Sequence, residues 1–285
     1  MTRHFQTLIT AAELTHLGAA RADLLLIDTR FDLADTAAGE LSYAEAHLPR
    51  AHYLHLDRDL SAAKTGLNGR HPLPDRSAFA QRMAALGLHT GLQVVVYDAQ
   101  GGMYAARLWW MLHWLGHAPA AVLDGGLQAW VAAGGATTAE ATPRPAQPGA
   151  FVAADPLNFS VDAAGLQRQL GQLRLIDARA PERFRGDVEP LDARAGHIPG
   201  ASNRLFKGNL QADGCFKSAQ QLRDEFNALL APYTPAQVVH QCGSGVTACH
   251  NLLAMEHAGL GGSQLYPGSW SEWSSAEPAL PLAKG

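Results

Sequence analysis

Apolar and polar residues follow two alternating rhythms along this chain. Short unbroken apolar runs such as Leu24-Leu25-Leu26-Ile27 and Val94-Val95-Val96 are interleaved with longer stretches in which apolar positions return every three or four residues. Runs of the first kind are too short for helices and read as buried strands; the second kind reads as helices. The pattern predicts strands over Leu24–Asp28, Gln93–Tyr97 and Ala121–Leu123, and helices over Ser77–Leu86, Ala105–Leu115 and Leu127–Ala133. Asp75 is placed to cap the first of these helices. The second is apolar almost all round, so it is expected to be buried. The rhythm then restarts, with strands over Leu173–Asp177, Val238–Gln241 and Gln264–Tyr266 and helices over Gln220–Leu230 and Ala248–Ala258. Strands alternating with helices imply an α/β fold in which a parallel sheet carries helices on both faces. Such sheets bind ligands at the carboxyl ends of their strands.

The restart is a repeat of sequence as well as of rhythm. Leu26-Ile27-Asp28-Thr29-Arg30 returns as Leu175-Ile176-Asp177-Ala178-Arg179, and Ala46-His47-Leu48-Pro49-Arg50-Ala51 as Gly196-His197-Ile198-Pro199-Gly200-Ala201. Gly125-Gly126 to Trp130 returns as Gly268-Ser269 to Trp273. The matches keep one order and nearly one offset, and the period is too long for a solenoid. Two copies of one domain are therefore expected: 1–138, a linker over 139–154 rich in proline and glycine, and 155–285.

The copies differ at the end of one strand. Cys242-Gly243-Ser244-Gly245-Val246-Thr247-Ala248 follows Val238–Gln241 and leads into a helix, whereas Asp98-Ala99-Gln100-Gly101-Gly102 stands there in the first copy. A strand, a tight glycine loop and a helix place the thiol among backbone N–H groups near the positive end of a helix dipole, where an anion on sulfur is stabilised. A carboxylate cannot serve as a sulfur nucleophile, so the first copy is expected to be catalytically inactive. Cys249, in the following helix, reads as core packing and Cys215 as structural or exposed.

Composition narrows the classes. Of 285 residues 47% are hydrophobic and 17% charged, with a formal net charge of −4, so there is no basic footprint for nucleic acid. No apolar run is long enough to span a membrane, and Met1–Gln6 shows no apolar leader segment. Three cysteines make no disulfide framework. A reducing cytoplasm is the expected compartment. His240, Cys242, Cys249 and His250 are close in sequence at spacings that match no common zinc pattern, so neither metal nor cofactor is expected.

Together, both Asp-x-Arg strands, both His-x-Pro segments, the Cys242 loop and the closing Tyr266-Pro267-Gly268-Ser269-Trp270-Ser271-Glu272-Trp273 resemble the tandem-domain sulfurtransferases of the rhodanese superfamily. The resemblance spans nearly the whole chain. It implies two rhodanese-like domains, with an active cysteine in the second that cycles through a persulfide. The loop Cys242-Gly243-Ser244-Gly245-Val246-Thr247 is similar to the form found in enzymes acting on 3-mercaptopyruvate. Enzymes acting on thiosulfate usually carry Arg and Lys where Gly243 and Ser244 stand, which suits a dianion. The resemblance further implies that Arg185 meets the donor carboxylate and that Asp57, His71 and Ser244 form a proton relay. It implies that the loop from Gly243 through Ser244, Gly245, Val246 and Thr247 to Ala248 holds substrate, and that a thiol, cyanide or a thioredoxin-like protein accepts the sulfur. The mercaptopyruvate enzymes place a second arginine shortly before Gly-His-Ile-Pro-Gly; Arg194 here is not at that spacing.

Asp28, Arg30, Asp177 and Arg179 are expected to hold strand ends, and His47 and His197 to brace turns. A phosphatase of the same superfamily is disfavoured, because its loop ends in a phosphate-binding arginine and the corresponding residue here is Ala248. A thiosulfate:cyanide sulfurtransferase and a non-enzymatic persulfide carrier or docking module remain the alternatives.

Overall fold

The computed structural model describes residues 4–18 and 24–285. Met1–Arg3, the start of the Met1–Gln6 segment, lie outside the described residues. The first sequence copy folds as β1 (Leu8–Ile9), α1 (Ala11–Leu17), β2 (Leu24–Asp28), α2 (Ala38–Glu45), β3 (Ala51–Tyr53), α3 (Leu56–Asp59), α4 (Arg76–Ala85), β4 (Gln93–Tyr97), α5 (Ala105–Trp114), β5 (Ala120–Leu123) and α6 (Gly126–Ala132). The second folds as β6 (Phe159–Ser160), α7 (Ala163–Gln169), β7 (Arg174–Asp177), α8 (Pro181–Arg185), β8 (Ser202–Asn203), α9 (Ala219–Leu230), β9 (Val238–Gln241), α10 (Thr247–His257), β10 (Gln264–Leu265) and α11 (Ser269–Ser275).

Each copy builds one five-stranded parallel sheet. The orders are β1-β5-β4-β2-β3 and β6-β10-β9-β7-β8, the same topology twice. Every residue of β4 and β9 is buried, including the polar Gln93, His240 and Gln241 that flank the apolar runs Val94-Val95-Val96 and Val238-Val239. Helix α5 is buried from Ala105 to His113, as its all-round apolar pattern requires. Asp75 caps α4 through the Ala78 N–H, and Ser218 with Gln221 forms a capping box on α9. Among the described residues no helix is long and apolar enough to cross a membrane.

The described residues divide into two compact units. The first takes residues up to Leu60, Pro74–Leu157 and Gln211–Phe216; the second takes Ser61–Leu73, Asn158–Leu210 and Lys217–Gly285. One segment from the first half of the sequence, Ser61–Leu73, thus belongs to the second unit.

The repeated motifs do equivalent work in each unit. Asp28 receives the Arg30 guanidinium at 2.9 Å while Arg30 also reaches the Ala46 carbonyl; Asp177 receives Arg179 at 2.7 Å while Arg179 reaches the Gly196 carbonyl. His47 stacks on Tyr43 with 3.8 Å between ring centroids and bonds its carbonyl; His197 stacks on Phe184 at 3.9 Å and does the same. These four charged residues and two histidines are structural in both units.

Candidate active site

At the carboxyl end of β9 the chain turns through Cys242–Val246 into α10. Gly245 makes the turn possible. Its φ is +76°, and a Cβ there would run into the backbone of Pro267. The closing segment of the motif clamps the loop. The Cys242 N–H donates to Ser269 Oγ at 3.1 Å, the Trp270 N–H to the Cys242 carbonyl at 3.0 Å, and the Ser271 N–H to the Gly243 carbonyl at 2.9 Å. Ser269 adopts φ of 54° and donates its hydroxyl to the Tyr266 carbonyl, which orients its oxygen for the Cys242 amide. Cys242 is 2% exposed. Helix α10 starts without a side-chain cap, and the positive end of its dipole lies at the loop.

The equivalent loop of the first unit displays what such a turn holds. The Asp98 carboxylate accepts N–H groups of Gln100 and Gly102 on one oxygen, both at 2.9 Å, and of Tyr104 and Ala105 on the other, at 2.8 and 3.0 Å. Four backbone donors wrap one anion, each bond strengthened by the charge.

His71 and Ser244, expected to act together, do meet: His71 Nδ1 lies 2.7 Å from Ser244 Oγ, and both are buried. His71 reaches Ser244 because Ser61–Leu73 packs in the second unit, where the Arg70 N–H is tied to Ser271 Oγ at 3.0 Å. Asp57 lies on α3 in the first unit, its N–H donating to His55 Nδ1 at 3.1 Å.

The arginines beside Gly243 are Arg70 and Arg183; Arg185, expected to meet the donor carboxylate, lies on another side of α8. A Cβ built on Gly243 would lie 2.8 Å from an Arg70 Nη and 3.5 Å from an Arg183 Nη, so both guanidinium groups stand over the residue after the cysteine. Arg185 is half exposed and pairs with Asp187 at 2.7 Å. Two positions along a helix point to different sides, and a one-turn helix such as α8 gives the sequence no phase to read. Arg70 was missed as well; its signal is its place directly before His71. Arg194 spends its guanidinium on the carbonyls of Ser274, Leu280 and Trp273, at 2.8, 3.1 and 3.2 Å, and so fastens the C-terminal segment.

The remaining candidates are accounted for by their partners. Cys249 is fully buried, its thiol on the Gly245 carbonyl at 3.3 Å. Burial, with Asp124 and Asp213 nearby, pushes the Cys215 thiol up to about 11, which makes it a poor nucleophile. His240 Nε2 contacts Met255 Sδ at 3.1 Å, and His250 Nδ1 contacts Asn209 Nδ2 at 3.2 Å. Among the described residues no group of three or more His, Cys, Asp or Glu side chains is arranged to hold a metal ion.

Comparison with known proteins assigns the chain to a family. The rhodanese-like domain matches residues 10–133 and 162–276. A Pseudomonas aeruginosa protein named as a probable 3-mercaptopyruvate sulfurtransferase is 49% identical, covering 98% of each chain. A Bos taurus thiosulfate sulfurtransferase is 32% identical, covering 94% of this chain and 90% of its own. The structure of 3-mercaptopyruvate sulfurtransferase from Leishmania major superposes with a TM-score of 0.81 at 33% identity, over 94% of this chain and 74% of that one. The chain belongs to the rhodanese-like domain family, with two copies of the domain, and is a sulfurtransferase of the 3-mercaptopyruvate/thiosulfate type.

Proposed function

We propose that this protein takes a sulfur atom from 3-mercaptopyruvate onto Cys242 and passes it to a thiol, cyanide or a thioredoxin-like protein. The observation that carries the reading is the buried Cys242 thiol in a strand–loop–helix turn whose counterpart in the first unit binds a carboxylate with four N–H groups. The uncharged Gly243 and Ser244 support mercaptopyruvate over thiosulfate as donor.

The Cys242 thiolate attacks the donor sulfur. An S–S bond forms as the C–S bond breaks, and the electron pair of that bond stays on carbon as the enolate of pyruvate. The proton of the donor thiol passes to that carbon, giving pyruvate and leaving Cys242–S–S⁻. The charged outer sulfur rests against the N–H groups running from Gly243 to Ala248, a cradle of the oxyanion-hole kind. Ser244 and His71, hydrogen-bonded to each other, carry the proton, with Asp57 as a candidate third member of the relay. Arg183 grips the donor carboxylate with its planar fork. In the second half-reaction an acceptor thiolate attacks the outer sulfur and leaves as a persulfide, or cyanide leaves as thiocyanate, and Cys242 departs as a thiolate. A covalent intermediate between two half-reactions gives ping-pong kinetics.

In this reading residues 155–285 form the catalytic domain, 1–138 a non-catalytic one and 139–154 the linker. Three free cysteines fit a reducing cytoplasm.

The test is intact mass spectrometry after incubation with 3-mercaptopyruvate and, separately, thiosulfate. The expected result is a gain of about 32 Da, one sulfur atom, from 3-mercaptopyruvate that is absent from Cys242→Ala. A gain from thiosulfate alone would move the protein to the other branch of the family. No gain from either would leave a carrier or docking module.

A further inference from the structure

Two guanidinium groups over Gly243 at first suggest a site for a doubly charged donor. Their partners argue otherwise. Asp192, 2% exposed in its side chain, pairs with Arg70 and, at 3.0 Å, with Arg183. Glu189 pairs with Arg183 at 2.6 Å and with Arg179 at 3.3 Å, and Asp177 pairs with Arg179 at 2.7 Å. The six side chains form one line of alternating charge: Asp177, Arg179, Glu189, Arg183, Asp192, Arg70. Three cations meet three anions, and the line that ends beside the cysteine carries no net charge.

The arrangement is built into the backbone. Glu189 Oε1 accepts the N–H groups of Leu191 and Asp192 at 3.1 and 3.2 Å, which folds the segment back and aims Asp192 at the two arginines. Asp192 lies in the stretch ahead of Gly196-His197 where the enzymes acting on 3-mercaptopyruvate place a second arginine and this chain does not. Arg194, the nearest cation in sequence, is held by carbonyls elsewhere. The second guanidinium at the loop therefore arrives from Arg70, with Asp192 as its anchor.

We propose that Asp192 and Arg70 set the donor specificity of this enzyme: Arg70 joins Arg183 in binding the donor carboxylate, and Asp192 cancels the excess positive charge so that a monoanion is accepted and a dianion refused. The inference rests on the sulfur-transfer reading of Cys242. A guanidinium has five N–H donors, so one that shares a carboxylate on one side still offers a fork on the other. What it no longer offers is an uncompensated field. A planar monoanionic carboxylate is satisfied by geometry, whereas the second charge of thiosulfate meets no counter-charge. Arg70 is positioned to use its free side, since its side chain is 24% exposed while Asp192 is enclosed.

The experiment measures kcat/KM for 3-mercaptopyruvate and for thiosulfate in the full-length protein and four variants. Asp192→Asn and Glu189→Gln each remove one negative charge while keeping an acceptor oxygen. Each is expected to raise the thiosulfate-to-mercaptopyruvate ratio about tenfold, equivalent to about 1.4 kcal/mol. Arg70→Gln is expected to lower the kcat/KM for 3-mercaptopyruvate about tenfold or more, and Arg70→Lys to recover most of that loss because it keeps the charge. Lost packing alone would not move the ratio between two donors of different charge. An unchanged ratio in both charge-removing variants overturns the proposal, as does an Arg70→Gln protein with wild-type use of 3-mercaptopyruvate. Glu189→Gln decides the charge arm if Asp192→Asn fails to fold. If the unmodified protein gains no sulfur from 3-mercaptopyruvate, the functional reading itself fails and takes this inference with it; if it gains sulfur and the ratios stay fixed, only this inference falls.

Discussion

Asp98 occupies in the first unit the place that Cys242 occupies in the second, and its carboxylate is bound by four loop N–H groups. The two units share this strand–loop–helix turn and differ in the residue that opens it. In the first unit the cradle serves stability. Asp98→Asn replaces one acceptor oxygen by an NH₂ group that faces two N–H donors and removes the charge from the other bonds. The expected loss is about 2–4 kcal/mol in unfolding free energy, measured by denaturant titration. Persulfide formation on Cys242, scored by mass per folded molecule, is expected to be unchanged. A variant as stable as the parent would show that the four contacts contribute little.

Arg183 and Arg185 are two residues apart on α8 but have different surroundings, one over Gly243 and one paired with Asp187 near the surface. Arg183→Met is expected to lower kcat/KM for 3-mercaptopyruvate roughly thirtyfold or more, the loss of a charge-assisted fork of about 2 kcal/mol. Arg185→Met removes only an exposed ion pair and is expected to change kcat/KM less than about twofold. The reverse order of effects would return the donor site to Arg185.

The Ser244–His71 contact separates two roles by kinetics. If the pair moves the proton, Ser244→Ala lowers kcat about ten- to a hundredfold and leaves KM nearly fixed. His71→Asn then gives a similar loss, and combining the two costs little more than either alone, because they act as a unit. A raised KM with normal kcat in Ser244→Ala would reduce the serine to a contact for bound donor.

What could be read beforehand, and what could not, follows from burial and range. Strands β2, β4 and β9 matched the sequence reading to the residue, because each carries a short apolar run buried in the sheet and β9 stops where the Cys242 loop begins. Strands β1, β6 and β8, two residues each, carry too few positions for any period to register. The Asp-x-Arg pairs and the two stacked histidines were legible because each is a local motif that appears twice. Arg183 was missed because helix phase in five residues is not encoded in spacing. Arg70 was missed because its contact with Asp192 joins residues 122 positions apart. His71 was reached only through family resemblance, for the same reason.

Three histidines buried as neutral groups make this fold sensitive to mild acid. Burial pushes His113 and His117 down to about 4 and His240 down to about 3. His240 shows the cause most plainly: it is fully enclosed, its Nε2 faces a thioether and its Nδ1 has no hydrogen-bond partner, so nothing receives a second proton. In the unfolded chain each histidine titrates near 6.5. Above that pH all three are neutral in both states and stability is at its full value. Below it the unfolded chain binds protons that the folded chain refuses, so stability falls as pH drops from about 6.5 towards 4, by up to about 1.4 kcal/mol per pH unit for each histidine. Asp28, Asp124, Asp192, Glu256 and Glu272 act in the opposite sense, because burial raises their carboxyls and the folded chain gains protons first. The net slope is therefore smaller than three histidines alone would give. Between about pH 6.5 and 5.5, above the ordinary carboxyl range, the histidines dominate and the unfolding free energy is expected to fall with acid. His240→Gln is expected to flatten the slope by about 1.4 kcal/mol per unit. An identical slope in that variant would mean that His240 takes up its proton in the folded state and that some other group drives the acid sensitivity.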